Sequence, residues 1–285
     1  MMRAVSQYIA IAFGLAVLVG ASHAVAGFGE PSPWQIGLQH ANTPVMDSII
    51  GFNDVLLCIL AATAGLIFVL LIVVMVRFNT YVHPTPSKRT GNWPLEIAWT
   101  LIPFCIVAFI VFLSFRLLFF EADIPRADLT VKATGHQWFW GYSYPDHGNF
   151  KFYSEMLNDE SRKPGQPRLL AVNNDLVVPV NKVVRIQVIG GDVIHSFSVP
   201  SFGIKIDAIP GRLNETWFQA TREGMYYGQC SELCGMNHSF MPIAVRVVSE
   251  QEFKAWVEDA KKKYAQGPAS RATETAGLES MGANE

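Results

Sequence analysis

Charge is scarce in this chain. Only 16% of its 285 residues are Asp, Glu, Lys or Arg, and the net charge is -2. No long basic run occurs, so no nucleic-acid partner is expected. Cysteine is scarce too. Four cysteines are too few for a disulfide scaffold. No Cys-x-x-Cys-His occurs, which excludes a fused haem domain of the c type. No internal repeat appears, which sets repeat architectures aside. Apolar residues, by contrast, make up half the chain, and the mean hydropathy is positive.

The apolar residues are concentrated near the N-terminus. Arg3 followed by the short apolar run Tyr8 to Val19 and the small-x-small triplet Ala24-Val25-Ala26 has the form of an export signal, residues 1–26. A short amphipathic anchor is the alternative. Val55 to Val76 is long and uncharged enough to cross a bilayer, and Ile97 to Phe115 is a second such run. The spans are placed at about 52–77 and 95–118, within an N-terminal region 27–120. Trp93 and Trp99 mark a membrane interface, and Pro103 is tolerated as a kink. Arg77, Lys88 and Arg89 put the connecting loop in the cytoplasm. Both outer ends then face the extracytoplasmic side, in agreement with the export signal. Cys58 and Cys105 lie inside these runs and are expected as small buried hydrophobes.

From Glu121 the pattern is that of a water-soluble β domain, residues 121–266. Strands are expected at 129–134, 137–144, 176–189, 196–199, 216–220, 225–228 and 243–248, separated by Pro and Gly. Many short strands without helices between them indicate a β-sandwich or barrel. Ser249 and Glu252 form a capping box, and Phe253, Trp256, Val257, Ala260 and Tyr264 a helical stripe behind it. Residues 267–285 have a disordered composition.

The run Cys230-Ser231-Glu232-Leu233-Cys234-Gly235-Met236-Asn237-His238-Ser239-Phe240-Met241 gathers two thiols, an imidazole and a thioether, all soft or borderline donors. His195 lies upstream, where a sandwich could return it to the same loop. Four readings compete. A Cys230–Cys234 disulfide leaves the His and Met spacing unexplained. Zinc has no need of Met241. A mononuclear blue-copper site wants one Cys, not two. Two bridging thiolates could hold two coppers, each capped by one His, with Met241 and a backbone carbonyl, that of Glu232, as weaker donors. A fully ligated site has no open position for substrate, so it moves electrons.

The copper run with Pro242, together with D-V-I-H-S-F-S-V-P, I-K-I-D-A-I-P-G-R, G-H-Q-W-F-W and E-I-A-W-T-L-I-P, resembles subunit II of haem-copper cytochrome c oxidases. The resemblance covers residues 45 to 265. It implies two transmembrane helices followed by an extracytoplasmic cupredoxin-like Greek-key domain with a binuclear copper-A centre. The implied ligands are His195, Cys230, the Glu232 carbonyl, Cys234, His238 and Met241. The Glu232 side chain would reach a magnesium ion shared with subunit I, and Asp207 would lie at the subunit I interface. Trp138 would be the electron-entry residue; an interface or core aromatic is the plainer reading. Glu96 would stand at the mouth of a proton channel; a helix N-terminal charge is the plainer reading. Asp192 would help dock cytochrome c. Ser143 and Asn173 depart from the family's acidic docking pattern, with Asp146, Glu155, Asp159 and Asp175 as possible substitutes.

The implied function is subunit II of a proton-pumping oxidase with subunits I and III as partners, lacking a complete active site alone. It takes electrons from cytochrome c and passes them to haem in subunit I, where oxygen is reduced. The export signal and tail favour a bacterial inner membrane, with the copper domain periplasmic. A quinol oxidase subunit would lack the copper ligands. A nitrous oxide reductase would carry a large catalytic domain and no hairpin. A copper assembly protein would use short Met or Cys motifs without the aromatic run.

Overall fold

The computed structural model describes residues 29–85 and 87–264. The expected export signal at 1–26 and the tail at 267–285 lie outside the described residues. Two long helices come first, α1 (Pro44–Arg77) and α2 (Trp93–Ala122). At 1.5 Å per residue each exceeds the about 30 Å of a bilayer's hydrocarbon core. Both are apolar all round, and their large side chains face outward. Cys58 and Cys105 are exposed along them. This corrects the expectation from sequence that they are small buried hydrophobes: their apolar neighbours form an outward-facing helix surface, not a core.

The helices also begin earlier than the apolar runs. Thr43 caps α1, its hydroxyl accepting from the Met46 amide at 3.0 Å, and Pro44 follows in the first turn. Asn92 precedes α2, which continues through Pro103. The α1 cap also joins the hairpin to the β domain. The Thr43 hydroxyl donates to the Phe202 carbonyl at 2.7 Å, and the Asn42 amide donates to Ser201 O at 3.0 Å. At the end of α2, Phe120 meets the edge of Trp217 with ring centroids 5.7 Å apart.

Ten strands follow. They are β1 (Leu129–His136), β2 (Phe139–Tyr144), β3 (Phe150–Ser154), β4 (Leu176–Pro179), β5 (Val184–Gly190), β6 (His195–Val199), β7 (Ile204–Ala208), β8 (Asn214–Phe218), β9 (Gly224–Cys230) and β10 (Pro242–Val248). One sheet runs β3-β2-β1-β5-β8 and the other β4-β10-β9-β6-β7. Most neighbours are antiparallel, while β1–β5 and β4–β10 are parallel. Alternate residues of β1 and β5 point inward: Leu129, Val131 and Ala133, then Val184, Ile186 and Val188. Val245, Val247 and Phe197 meet them from the second sheet.

The expected strand 176–189 is two strands in different sheets. Asn181, with φ 57°, turns the chain between them. The strands β3 and β7 were not expected. Both are five residues long and alternate buried with exposed positions too briefly to stand out. The C-terminal helix α3 (Glu250–Tyr264) has the expected capping box. Ser249 Oγ accepts from the Glu252 amide, and Glu252 Oε2 accepts from the Ser249 amide, both at 3.2 Å.

Candidate metal centre

Strand order brings the donors together. The strands β6 and β9 are neighbours, and Phe197 pairs with Cys230. His195 opens β6 two residues earlier, beside the end of β9. Loop 231–241 leaves β9 and returns as β10, so it must close over His195. The Ser231 amide, donating to Ser196 O at 3.0 Å, fixes its start.

Six donor atoms converge there. Cys230 Sγ lies 3.9 Å from His195 Nδ1, 3.4 Å from the Glu232 carbonyl oxygen and 3.9 Å from Cys234 Sγ. Cys234 Sγ lies 3.5 Å from His238 Nδ1 and 3.6 Å from Met241 Sδ. A disulfide needs sulfurs about 2.05 Å apart, so the thiols are not bonded to each other. Two donors bound tetrahedrally to one ion at about 2.0–2.3 Å sit roughly 3.5 Å apart. The observed spacings are those of atoms that could share metal. His195, Cys230 and Cys234 are all buried.

Each thiol has its own imidazole and its own third donor: the Glu232 carbonyl with Cys230, the Met241 thioether with Cys234. Without a metal the two thiols cannot both ionise easily. Burial raises the Cys230 thiol, but hydrogen bonds from His195 and the Glu232 and Ser196 backbone outweigh it, and the net shift is down. Burial and the neighbouring Cys230 push Cys234 up. Metal cations would remove that repulsion and stabilise both as thiolates.

The surroundings hold the donors in place. Burial lowers the His195 pKa, yet its bonds to Cys230 and Asp192 outweigh this, and the net shift is upward. Asp192 Oδ1 sits 2.8 Å from His195 Nε2, which leaves Nδ1 to face the sulfurs. Asp192 also accepts from the amides of Gln137 and Val193 at 2.7 and 2.6 Å. Burial pushes its carboxyl up, but these bonds hold it below the usual range. The backbone of β1 comes close: a Cβ on Gly135 would lie 2.8 Å from His195 Cδ2. Trp140 Nε1 donates to the Met241 carbonyl at 3.3 Å. Gly235 turns the loop at φ 123°, where a side chain is disfavoured.

The other residues singled out from sequence are spread over the molecule. Trp138 is partly buried and packs on Gly235, beside the donor loop. Glu232 is exposed in a cleft with Asp192, Ile209 and Pro210. Asp207 is exposed on β7, in a groove with Lys205, Arg212 and Glu215. Glu96 is far from the donors, at the opposite end of α2. There its Oε1 accepts from the Asn92 amide at 3.1 Å and caps the helix. Asp159 pairs with Arg162 and Arg168, Asp175 pairs with Arg246, and Asp146 accepts from the Thr130 amide. Glu155 Oε2 accepts from Asn173, and Ser143 is buried. Sequence reasoning missed Gly135, Gln137 and the Trp140 bond. It also missed an exposed apolar collar of Ile194, Leu233, Met236 and Phe240, with Leu233 78% and Met236 84% exposed. These residues adjoin the recognised motifs, but only the folded loops show what they touch.

A two-sheet Greek-key domain on a hairpin of two membrane-spanning-length helices, with soft donors clustered in the loops at one end, defines a cupredoxin-like domain on a membrane anchor, with a donor cluster that could hold a metal. The sequence model for the cytochrome c oxidase subunit II periplasmic domain matches residues 129–248, and that for its transmembrane domain matches residues 31–117. A probable cytochrome c oxidase subunit 2 of Rickettsia bellii is 49% identical over 85% of this chain and 90% of the relative. The cytochrome c oxidase subunit 2 of Cereibacter sphaeroides is 42% identical over 91% of this chain and 93% of the relative. The crystal structure of the periplasmic domain of the Bradyrhizobium japonicum oxidase subunit II is 65% identical. It covers 50% of this chain and 99% of its own, with a TM-score of 0.47. The chain belongs to the cytochrome c oxidase subunit II family.

Proposed function

We propose that this chain is the electron-entry subunit of a proton-pumping cytochrome c oxidase, with two copper ions held between Cys230 and Cys234. His195 and His238 would each cap one copper, and the Glu232 carbonyl and Met241 would be the weaker donors. When bound, the copper pair supplies reversible one-electron chemistry with no open position for substrate. The observation that carries this reading is that each thiol has its own imidazole and its own third donor. A zinc site would leave Met241 Sδ, 3.6 Å from Cys234 Sγ, without a purpose.

The chain's own residues define the rest. Asp192 orients His195, and burial keeps water from the sulfurs. Trp138 is the entry point for electrons from cytochrome c, which leave for haem in subunit I, where oxygen is reduced. The exposed Glu232 carboxylate would hold a magnesium ion shared with subunit I, and Asp207 would face the same partner. Glu96 would serve at the mouth of a proton channel in subunit I, its capping bond being compatible with exposure. Subunits I and III pack against the hairpin, and the apolar collar supports a partner at the metal end. The mature chain would begin after residue 26, with the hairpin in the inner membrane, the copper-A domain at 121–266 in the periplasm and a tail from 267.

Metal analysis of the purified, copper-loaded protein tests the core of this reading. Two coppers in a mixed-valence, purple form are expected. One copper with a blue-copper spectrum, or a preference for zinc, would overturn it.

A further inference from the structure

Trp138 is held against the donor loop in an unusual way. Its ring nitrogen is buried and has no hydrogen-bond partner among the described residues. The indole therefore has no polar bond of its own to fix it. What it does have is a neighbour with two strong bonds. The Gln137 amide donates to Asp192 Oδ2 at 2.7 Å, and the Gln137 side-chain amide donates to the Cys234 carbonyl at 2.7 Å. Asp192 is the residue whose other oxygen holds His195. One residue thus grips both arms of the donor set, the His195 side and the Cys234 side. A Cβ on Gly235 would lie 3.0 Å from Trp138 Cζ2 and 3.1 Å from Gln137 Nε2. The carboxamide and the indole rest on the same glycine.

We propose that Gln137 is a positioning residue for electron entry: its two hydrogen bonds bracket the β1–β2 turn onto the donor loop and so set the distance of Trp138 from the metal ligands. The proposal rests on the electron-entry reading above. The step it serves moves one electron from the reduced haem of cytochrome c to the oxidised centre, with no bond made or broken. Such a step depends on separation and orientation, and neither is fixed by the indole itself. The peptide group gives the turn its anchor to Asp192 whatever the side chain. Only the side-chain amide ties it to Cys234, so the side chain can be tested separately.

The test uses the assembled oxidase and Q137M, which keeps the length of the side chain and removes its donor. Copper content, optical spectrum and association with cytochrome c should match the wild type. Electron transfer within the preformed complex should slow severalfold, because its rate depends on the separation and orientation of the indole. Amide hydrogen exchange across residues 136–139 should quicken, a readout independent of turnover. In a W138A background Q137M should cause no further slowing, because Gln137 acts through Trp138. Slowing that multiplies with that of W138A, or an unchanged transfer rate in Q137M, overturns the proposal. Should Q137M lose copper, Q137N, which keeps the amide but shortens the reach, takes its place. Loss of copper in both would make Gln137 a structural prop of the metal loop and reject the positioning role. A wild-type protein without the binuclear spectrum would instead remove the electron-entry reading on which the proposal stands.

Discussion

The two ends of the β-sandwich are finished by opposite means. At the end covered by α3, aromatic rings do the work. Phe150 and Phe152 flank Tyr144, Trp256 lies 5.2 Å from the Tyr144 centroid, and Tyr264 lies 5.0 Å from Phe152. Phe253 is buried beneath them. At the metal end the interior is polar: a fully buried imidazole, two thiols and converging carbonyls, with the apolar side chains Leu233 and Met236 turned outward. Ring packing closes the end that has no donor cluster. Polar donors under an apolar rim form an end suited to hold a charge and, on the proposed reading, to meet a partner. The comparison teaches that stability and function can be removed separately.

The largest effect is expected at the metal end. Cys230→Ser or Cys234→Ser should abolish the binuclear copper spectrum, because either change removes one of the two sulfurs between which the proposed copper pair would be held. The melting temperature of the metal-free protein should change little. A metal-free fold that collapses on either substitution would break the division between the ends. The converse change is Phe253→Ala. Removing a buried ring from the aromatic end should cost about 3–5 kcal/mol, read by thermal unfolding, while the surviving folded protein keeps its copper spectrum.

Tyr144 sharpens the contrast at a smaller scale. Its hydroxyl donates to the Val177 carbonyl at 2.7 Å and accepts from the Val177 amide at 3.0 Å, joining β2 to β4 across the two sheets. Tyr144→Phe leaves both backbone groups buried without that partner. The expected loss is about 1–3 kcal/mol, again with no change at copper. A spectral change in this variant would show that the ends communicate.

Most of this division is legible in the sequence, though unevenly. The stripe Phe253-Trp256-Val257-Ala260 and its capping box announce α3, because helical period and cap chemistry are local. The donors are legible because soft ligands rarely gather within one short run. The split of residues 176–189 into β4 and β5 is marked only by Pro179 and the polar pair Asn181-Lys182 inside an otherwise apolar run, a signal short enough to be passed over. The bracket at Gln137 is hidden. A glutamine beside a tryptophan carries no signal until the loops bearing Asp192 and Cys234 are folded against it.

Asp192 gives the finest test, since it has an inward role and an outward one. Its carboxylate accepts from Gln137 N, Val193 N and His195 Nε2, yet its side chain remains 34% exposed. As a docking charge on a solvated rim it should contribute about 1 kcal/mol or less to cytochrome c association. As the partner that orients His195 it should matter more: outer-shell carboxylates typically change metal affinity about 10–100-fold. Asp192→Asn should therefore lower copper affinity by that larger factor, and slightly weaken and flatten the salt dependence of association. Competitive copper titration reads the first, and rapid-mixing kinetics at two ionic strengths read the second. If copper affinity is unchanged and association alone falls, the carboxylate serves the partner and the bond to His195 is incidental. If association is unchanged at low salt, the docking charge lies elsewhere. Asp159 and Asp175 are poor substitutes, since both are already paired with arginines. Asp146 and Glu155, whose hydrogen bonds are to neutral groups, are then the acids to test next.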